Sequence, residues 1–149
     1  MAREAGVGSA TLHRHFAGRQ ELLAAVFRDR LEALARRGPV LAAAHPPREA
    51  LVAWLGEIAA YVAAQRGIAV ALFAYDDCAD ATDPCVMLVL DTARTLVAAA
   101  VEAGTVDPTV SAVDLFTLAN GVAAVTEGDP DAAVRLITLA TTGIGPGGR

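Results

Sequence analysis

Ala2-Arg3-Glu4-Ala5-Gly6-Val7-Gly8-Ser9-Ala10-Thr11-Leu12-His13-Arg14-His15-Phe16-Ala17-Gly18-Arg19-Gln20-Glu21-Leu22-Leu23 is the stretch on which the reading of the chain turns. It reads as the tail of one helix, a glycine turn, a short helix and the start of a third. Gly6 can take the left-handed conformation that a sharp turn between helices needs. Ser9 can cap the short helix, and Val7, Leu12 and Phe16 can pin it to its neighbours. Thr11, His13, Arg14 and His15 are left as polar groups, some of which face outward. A short helix with such a face suits a DNA major groove and its flanking phosphates.

Charge is distributed in the same sense. Residues 1–37 carry seven Arg (3, 14, 19, 28, 30, 36, 37) against four acids (4, 21, 29, 32), a balance of +3. Residues 38–149 carry five Arg against thirteen acids, a balance of −8, which together make the net −5. A basic start joined to an acidic remainder places nucleic-acid contact at the N-terminus.

Downstream, Gly, Pro and Asp divide the chain into helical segments. Arg19 to Arg37 spaces Leu22, Leu23, Val26, Phe27, Leu31 and Leu34 at three to four residues, and Gly38-Pro39 is expected to stop that helix. A second helix is expected from Pro47 to about Gln65, with Leu51, Trp54, Leu55, Ile58, Tyr61 and Val62 as its apolar face. Ile68 to Tyr75 is short and apolar, and its setting favours helix; Asp76 to Asp83 is a polar loop. Pro84 opens a helix to Ala103, closed by Gly104. Ser111, with Asp114 three residues on, caps a helix to about Thr126. Asp129 caps a last one from Pro130 to about Thr142, and a Gly-rich tail follows. Nothing alternates with period two, so the fold class expected is all-α, without a sheet.

The N-terminal stretch closely resembles the helix-turn-helix of the TetR regulator family, whose pattern runs roughly A-x-x-A-G-V-S-x-G-T-L-Y-x-H-F-x-x-K-x-x-L. Ala2, Ala5, Gly6, Val7, Thr11, Leu12, His15, Phe16 and Leu22 match it. The resemblance implies that Ser9 to Phe16 is the recognition helix. Thr11 would contact phosphate or base, His15 phosphate, and Arg19, at the usual Lys position, a further phosphate. His13 stands where the family generally has Tyr, and Ala10 replaces a common Gly. The DNA-binding candidates are therefore Ser9, Thr11, His13, Arg14, His15 and Arg19. In the family a whole helix and most of a second come before the position of Arg3. The chain as written is thus expected to begin partway through its DNA-binding domain and to bind DNA weakly. Each of Val7, Leu12 and Phe16 left uncovered would forfeit roughly 1.5–3 kcal/mol.

The implied organisation is a partial helix-turn-helix with connecting helix over 1–37, a ligand-binding and dimerisation domain over 38–143, and a flexible tail over 144–149. The expected function is a TetR-like regulator, a repressor by the family's habit, released from an operator by a small effector. A helical ligand-binding or dimerisation module without DNA contact is the alternative. Pocket candidates are Trp54, Ile58, Tyr61, Leu72, Phe73, Met87, Phe116 and Asn120. Met87 has Leu88 beside it, and Asn120 is a lone amide that needs a partner if buried. The dimer face is expected from the last two helices through Leu115, Leu118, Ala119, Val122, Val134 and Ile137, a four-helix interface between two copies.

Enzyme signatures are missing: no Gly-rich phosphate loop, G-x-S-x-G elbow or H-E-x-x-H occurs. Cys78 and Cys85 read as reduced cytosolic thiols rather than a disulfide framework or zinc site. No cofactor or metal is expected, no run of 18 uninterrupted apolar residues suggests a membrane span, and the expected location is the cytoplasm.

Overall fold

A computed structural model describes residues 19–65 and 84–141, with side chains from Ala25 onward. They form five helices: α1 (Arg19–Ala44), α2 (Pro47–Ala64), α3 (Pro84–Glu102), α4 (Ala112–Val125) and α5 (Pro130–Thr141). No strand occurs among the described residues, as the absence of period-two alternation predicts.

α2 is the centre of the bundle and packs against all four other helices. Pro46 and Pro47 start it, Pro47 entering where its missing N–H costs nothing. Ala50, Leu51, Trp54, Leu55, Gly56, Ile58, Ala59, Val62 and Ala63 are buried and run around most of its circumference. A helix apolar on that many sides is stable only when covered on all of them. Its last turn is closed from outside: the Gly128 N–H in the α4–α5 turn donates to the Ala63 carbonyl at 2.8 Å.

α1 departs from expectation. It does not stop at Gly38-Pro39 but runs on to Ala44, so the boundary drawn between residues 37 and 38 falls inside one helix. Proline disfavours a helical residue before it partly by crowding that residue's Cβ, and Gly38 has none. Pro39 still withholds the hydrogen bond that the Ala35 carbonyl would receive, an interruption costing about 3 kcal/mol. Burial of Ala35 and Leu41 on either side offsets it. Gly38 is required for a second reason: a Cβ there would collide with the Thr92 side-chain methyl of α3.

Gly56 lies in the opposite situation, because a Cβ there would meet only Val134 of α5, at 3.7 Å. Gly56→Ala should therefore raise stability by about 0.4–1 kcal/mol, read as a higher urea midpoint at unchanged slope. Gly38→Ala should lower it by about 1–2 kcal/mol, overpacking outweighing the helix-propensity gain. Thr92→Ser removes the offending methyl while keeping the hydroxyl that donates to the Leu88 carbonyl at 2.9 Å. In that background the loss from Gly38→Ala should vanish; equal losses in both backgrounds would refute the steric account.

The other ends follow the sequence signals. Gly104, at φ +69°, closes α3 with paired bonds, Gly104 N–H to the Val101 carbonyl (2.9 Å) and Thr105 N–H to the Ala100 carbonyl (3.0 Å). The Ser111 hydroxyl oxygen accepts from the Asp114 N–H at 3.1 Å. The Asp114 carboxylate accepts from the Ser111 hydroxyl at 2.6 Å instead of reaching back to the Ser111 N–H, being one methylene shorter than a capping-box Glu. Asp129 Oδ1 accepts from the Ala132 N–H at 2.9 Å and caps α5.

Before α4, Asp107 Oδ1 accepts from both the hydroxyl (2.7 Å) and the N–H (2.9 Å) of Thr109. These bonds, the hydroxyl's first, hold its carboxyl below the usual range. A lowered native pKa contributes stability above the unfolded value that is lost as pH falls through the folded one. Asp107→Asn should therefore flatten the acid side of a Tm-against-pH curve by lowering Tm slightly at neutral pH, where the carboxylate contributes, and leaving it nearly unchanged below the folded pKa.

α3 has the length and mean hydropathy of a membrane span. Here it packs against α1, α2 and α4, and its exposed side carries an Asp91–Arg94 ion pair at 2.7 Å.

Candidate functional site

The α1–α2 seam holds most of the described aromatic and charged side chains that meet between helices. The two helices run antiparallel, and three pairs mark their register. The rings of Phe27 and Tyr61 stack with centroids 6.5 Å apart and planes at 29°. The Trp54 indole N–H donates to the Leu34 carbonyl at 2.8 Å. Arg37 grips Glu57 through two nitrogens, at 2.7 Å from Nη2 and 3.0 Å from Nε. Phe27, Arg30, Leu31 and Leu34 recur at three- and four-residue spacing, so they share the α1 face that meets α2.

Polarity changes along this seam. At Trp54 it is dry, since the side chain is fully buried and its one donor is satisfied. At Tyr61 it opens, with Tyr61 and Phe27 both half-buried and Arg30 exposed. Burial pushes the Tyr61 phenol above its usual pKa, and the nearby Arg30 guanidinium draws it partly back. Close to the same end the buried Cys85 thiol of α3 points at Glu32 Oε1, 3.9 Å away. A half-buried phenol and a guanidinium beside stacked rings can bind an organic molecule through both apolar and hydrogen-bonding contacts.

The expected pocket residues take different environments. Trp54 and Ile58 are core. Tyr61 lies at the seam, Met87 is half-buried on α3, and Phe116 is half-buried on α4. Asn120 finds its partner within its own helix, its amide donating to the Phe116 carbonyl at 2.9 Å. Leu72 and Phe73 lie outside the described residues. Two open grooves occur elsewhere. One, of about 550 Å³, runs between α1 and α3 past Gly38, Pro39, Leu88 and Leu96. The other, of about 340 Å³, lies between α2 and α5 beside Arg48, Val52 and Thr138. None of the expected pocket residues lines either. Phe27 and Arg30 were missed because helical spacing marks Phe27 only as core, and a lone Arg carries no motif.

Of the DNA-binding candidates, Ser9, Thr11, His13, Arg14 and His15 lie outside the described residues, and Arg19 is described as the first backbone position of α1. Of the dimer candidates, Leu115, Ala119 and Ile137 spend their surface inside the protomer. Leu118 and Val122 are half-buried, and Val134 is exposed. The apolar surface that α4 and α5 still show is carried by Val113, Val125 (81% exposed), Val134 and Leu139 (68% exposed). Nothing stands within 4 Å of the Gly121 Cβ position.

Comparison with known proteins gives consistent matches. Residues 1–26 match the family described as bacterial regulatory proteins, tetR family. Residues 46–146 match the SbtR-like transcriptional regulator C-terminal domain. Among solved structures the chain is similar to the TetR transcriptional regulator SCO0520 from Streptomyces coelicolor, at 36% identity and a TM-score of 0.77, over 99% of this chain and 86% of that one. No functionally curated protein matches.

Proposed function

The chain belongs to the TetR family of bacterial transcriptional regulators, and from that premise we propose that it is a DNA-binding repressor released from its operator by a small-molecule effector. It acts as a cytoplasmic homodimer and as a regulator rather than an enzyme. The observation that carries the reading is that a helix-turn-helix match and a regulator C-terminal match occupy one chain in the family's order, at 1–26 and 46–146. α1 begins at Arg19 inside the first match and carries on, unbroken at Gly38-Pro39, to Ala44 beside the second.

In this reading Ser9, Thr11, His13, Arg14, His15 and Arg19 meet double-stranded DNA. The exposed Val113, Val125, Val134 and Leu139, flanked by Leu118 and Val122, meet a second copy in the α4–α5 layer. The effector sits among the middle helices, at the open end of the α1–α2 seam around Tyr61.

Fluorescence anisotropy against DNA flanking the gene, using protein from the longest in-frame reading frame, tests the DNA role. Affinity should fall steeply and log-linearly with salt. Arg14→Ala should weaken binding to all sequences and flatten the salt slope by about one. Absence of salt-dependent binding to any flanking segment would refute the repressor reading and leave the non-DNA-binding module.

A further inference from the structure

Resting on the effector-binding reading above, we infer that the effector is an anionic amphipath, its charged group held by Tyr61 and Arg30 and its apolar body lying on the rings of Phe27 and Tyr61. Two features of the open end of the seam carry this. The Tyr61 hydroxyl, though half-buried, has no hydrogen-bond partner among the described residues, nor has Arg30 an ion pair there. Both are donors, and Arg is a donor only.

The neighbouring carboxylates are already engaged. Glu57 is held by Arg37 at 2.7 Å. Glu32 lies 3.6 Å from Arg36 and accepts from the Cys85 thiol. Asp29 adjoins Arg30 in sequence, but adjacent residues on a helix do not face each other. The seam therefore offers unanswered positive charge and a free phenol, and Arg suits carboxylate or phosphate because its fork of N–H groups matches their oxygens.

The apolar half is equally placed. Phe27 and Tyr61 present stacked, partly exposed rings. One turn along each helix, Leu31 and Ile58 form a buried apolar floor. A ligand with an anionic head and an aliphatic or aromatic body would use every one of these groups. A cation would meet Arg30 as a like charge, and a neutral apolar molecule would leave it unanswered.

Three ten-carbon probes of the same tail test the inference: decanoate, decanol and decyltrimethylammonium, each below its aggregation concentration. Binding is read from the rise in Tm with ligand concentration. Decanoate should bind most tightly. Tyr61→Phe and Arg30→Gln should each weaken it about ten-fold, the loss of one hydrogen bond to a charged group, while leaving decanol binding and the unliganded Tm unchanged. Arg30→Lys should recover part of the affinity. Equal binding of all three probes, or variants that leave decanoate unaffected, would overturn the assignment of charge while leaving effector control standing. Failure of all three to bind would overturn the inference that this seam holds an amphipath, while the repressor reading stands or falls on the DNA-binding test.

Discussion

Trp54→Ala should remove about 3–5 kcal/mol of stability, the range for truncating a fully buried aromatic. That is a large part of the roughly 5–15 kcal/mol that holds a typical domain folded. The side chain is fully buried on α2, the helix that packs against every other described element. Its N–H also answers the Leu34 carbonyl at 2.8 Å, so the truncation opens a cavity and removes a polar contact together. Trp54→Phe separates the two, keeping most of the ring volume and losing the donor, and should cost about 1–3 kcal/mol. Urea unfolding followed by far-ultraviolet circular dichroism reads both variants. Trp54 is the only tryptophan in the chain, so native wild-type emission should be that of a water-free indole and move to longer wavelength on unfolding. A loss below about 1 kcal/mol for Trp54→Ala would mean that α2 is not the packing centre.

Ile137→Ala should cost about 2–5 kcal/mol and Ile137→Val about 0.5–1.5 kcal/mol. The location of the loss matters more than its size. Helical spacing alone puts Ile137 on the apolar face of the last helix, where a dimer contact is an equally good guess. Yet it is fully buried within one protomer, on the α5 helix that packs on α2. Its replacement should lower the unfolding free energy measured at any protein concentration and leave the dimer dissociation constant nearly unchanged. Val134→Glu and Leu139→Glu, at exposed apolar positions on the same helix, should do the reverse, weakening self-association with little effect on protomer stability. Sedimentation velocity over a concentration series distinguishes them. Dissociation caused by Ile137→Ala at unchanged stability would contradict the packing.

These outcomes mark where sequence reasoning reaches its limit. The ends of α2, α3, α4 and α5 were legible because their signals are local. Pro at a first turn, Gly at a left-handed closing position, and Ser or Asp one residue before a helix each act through bonds spanning a few residues. The family was legible for a related reason, since the matching residues from Ala2 to Leu22 keep the order and spacing of the family pattern within one short stretch. Gly38-Pro39 misled because its meaning is not local. As punctuation it ends a helix; in the fold Gly38 lets α3 approach, and the packing around Ala35 and Leu41 carries α1 through the missing bond.

By itself, then, the sequence determined the helical class, most of the helix ends and the resemblance to a DNA-binding regulator family, because periodicity, caps and motif spacing are properties of a chain read in order. Which face each helix turns to which neighbour was decided only by tertiary structure. Leu115, Ala119 and Ile137 became core rather than exposed surface, Asn120 was answered within α4, and the rings of Phe27 and Tyr61 stacked across the α1–α2 seam. An apolar residue gains about the same free energy from any surface that removes it from water. Its partner is therefore chosen by the shape of the whole bundle, which no stretch of sequence contains.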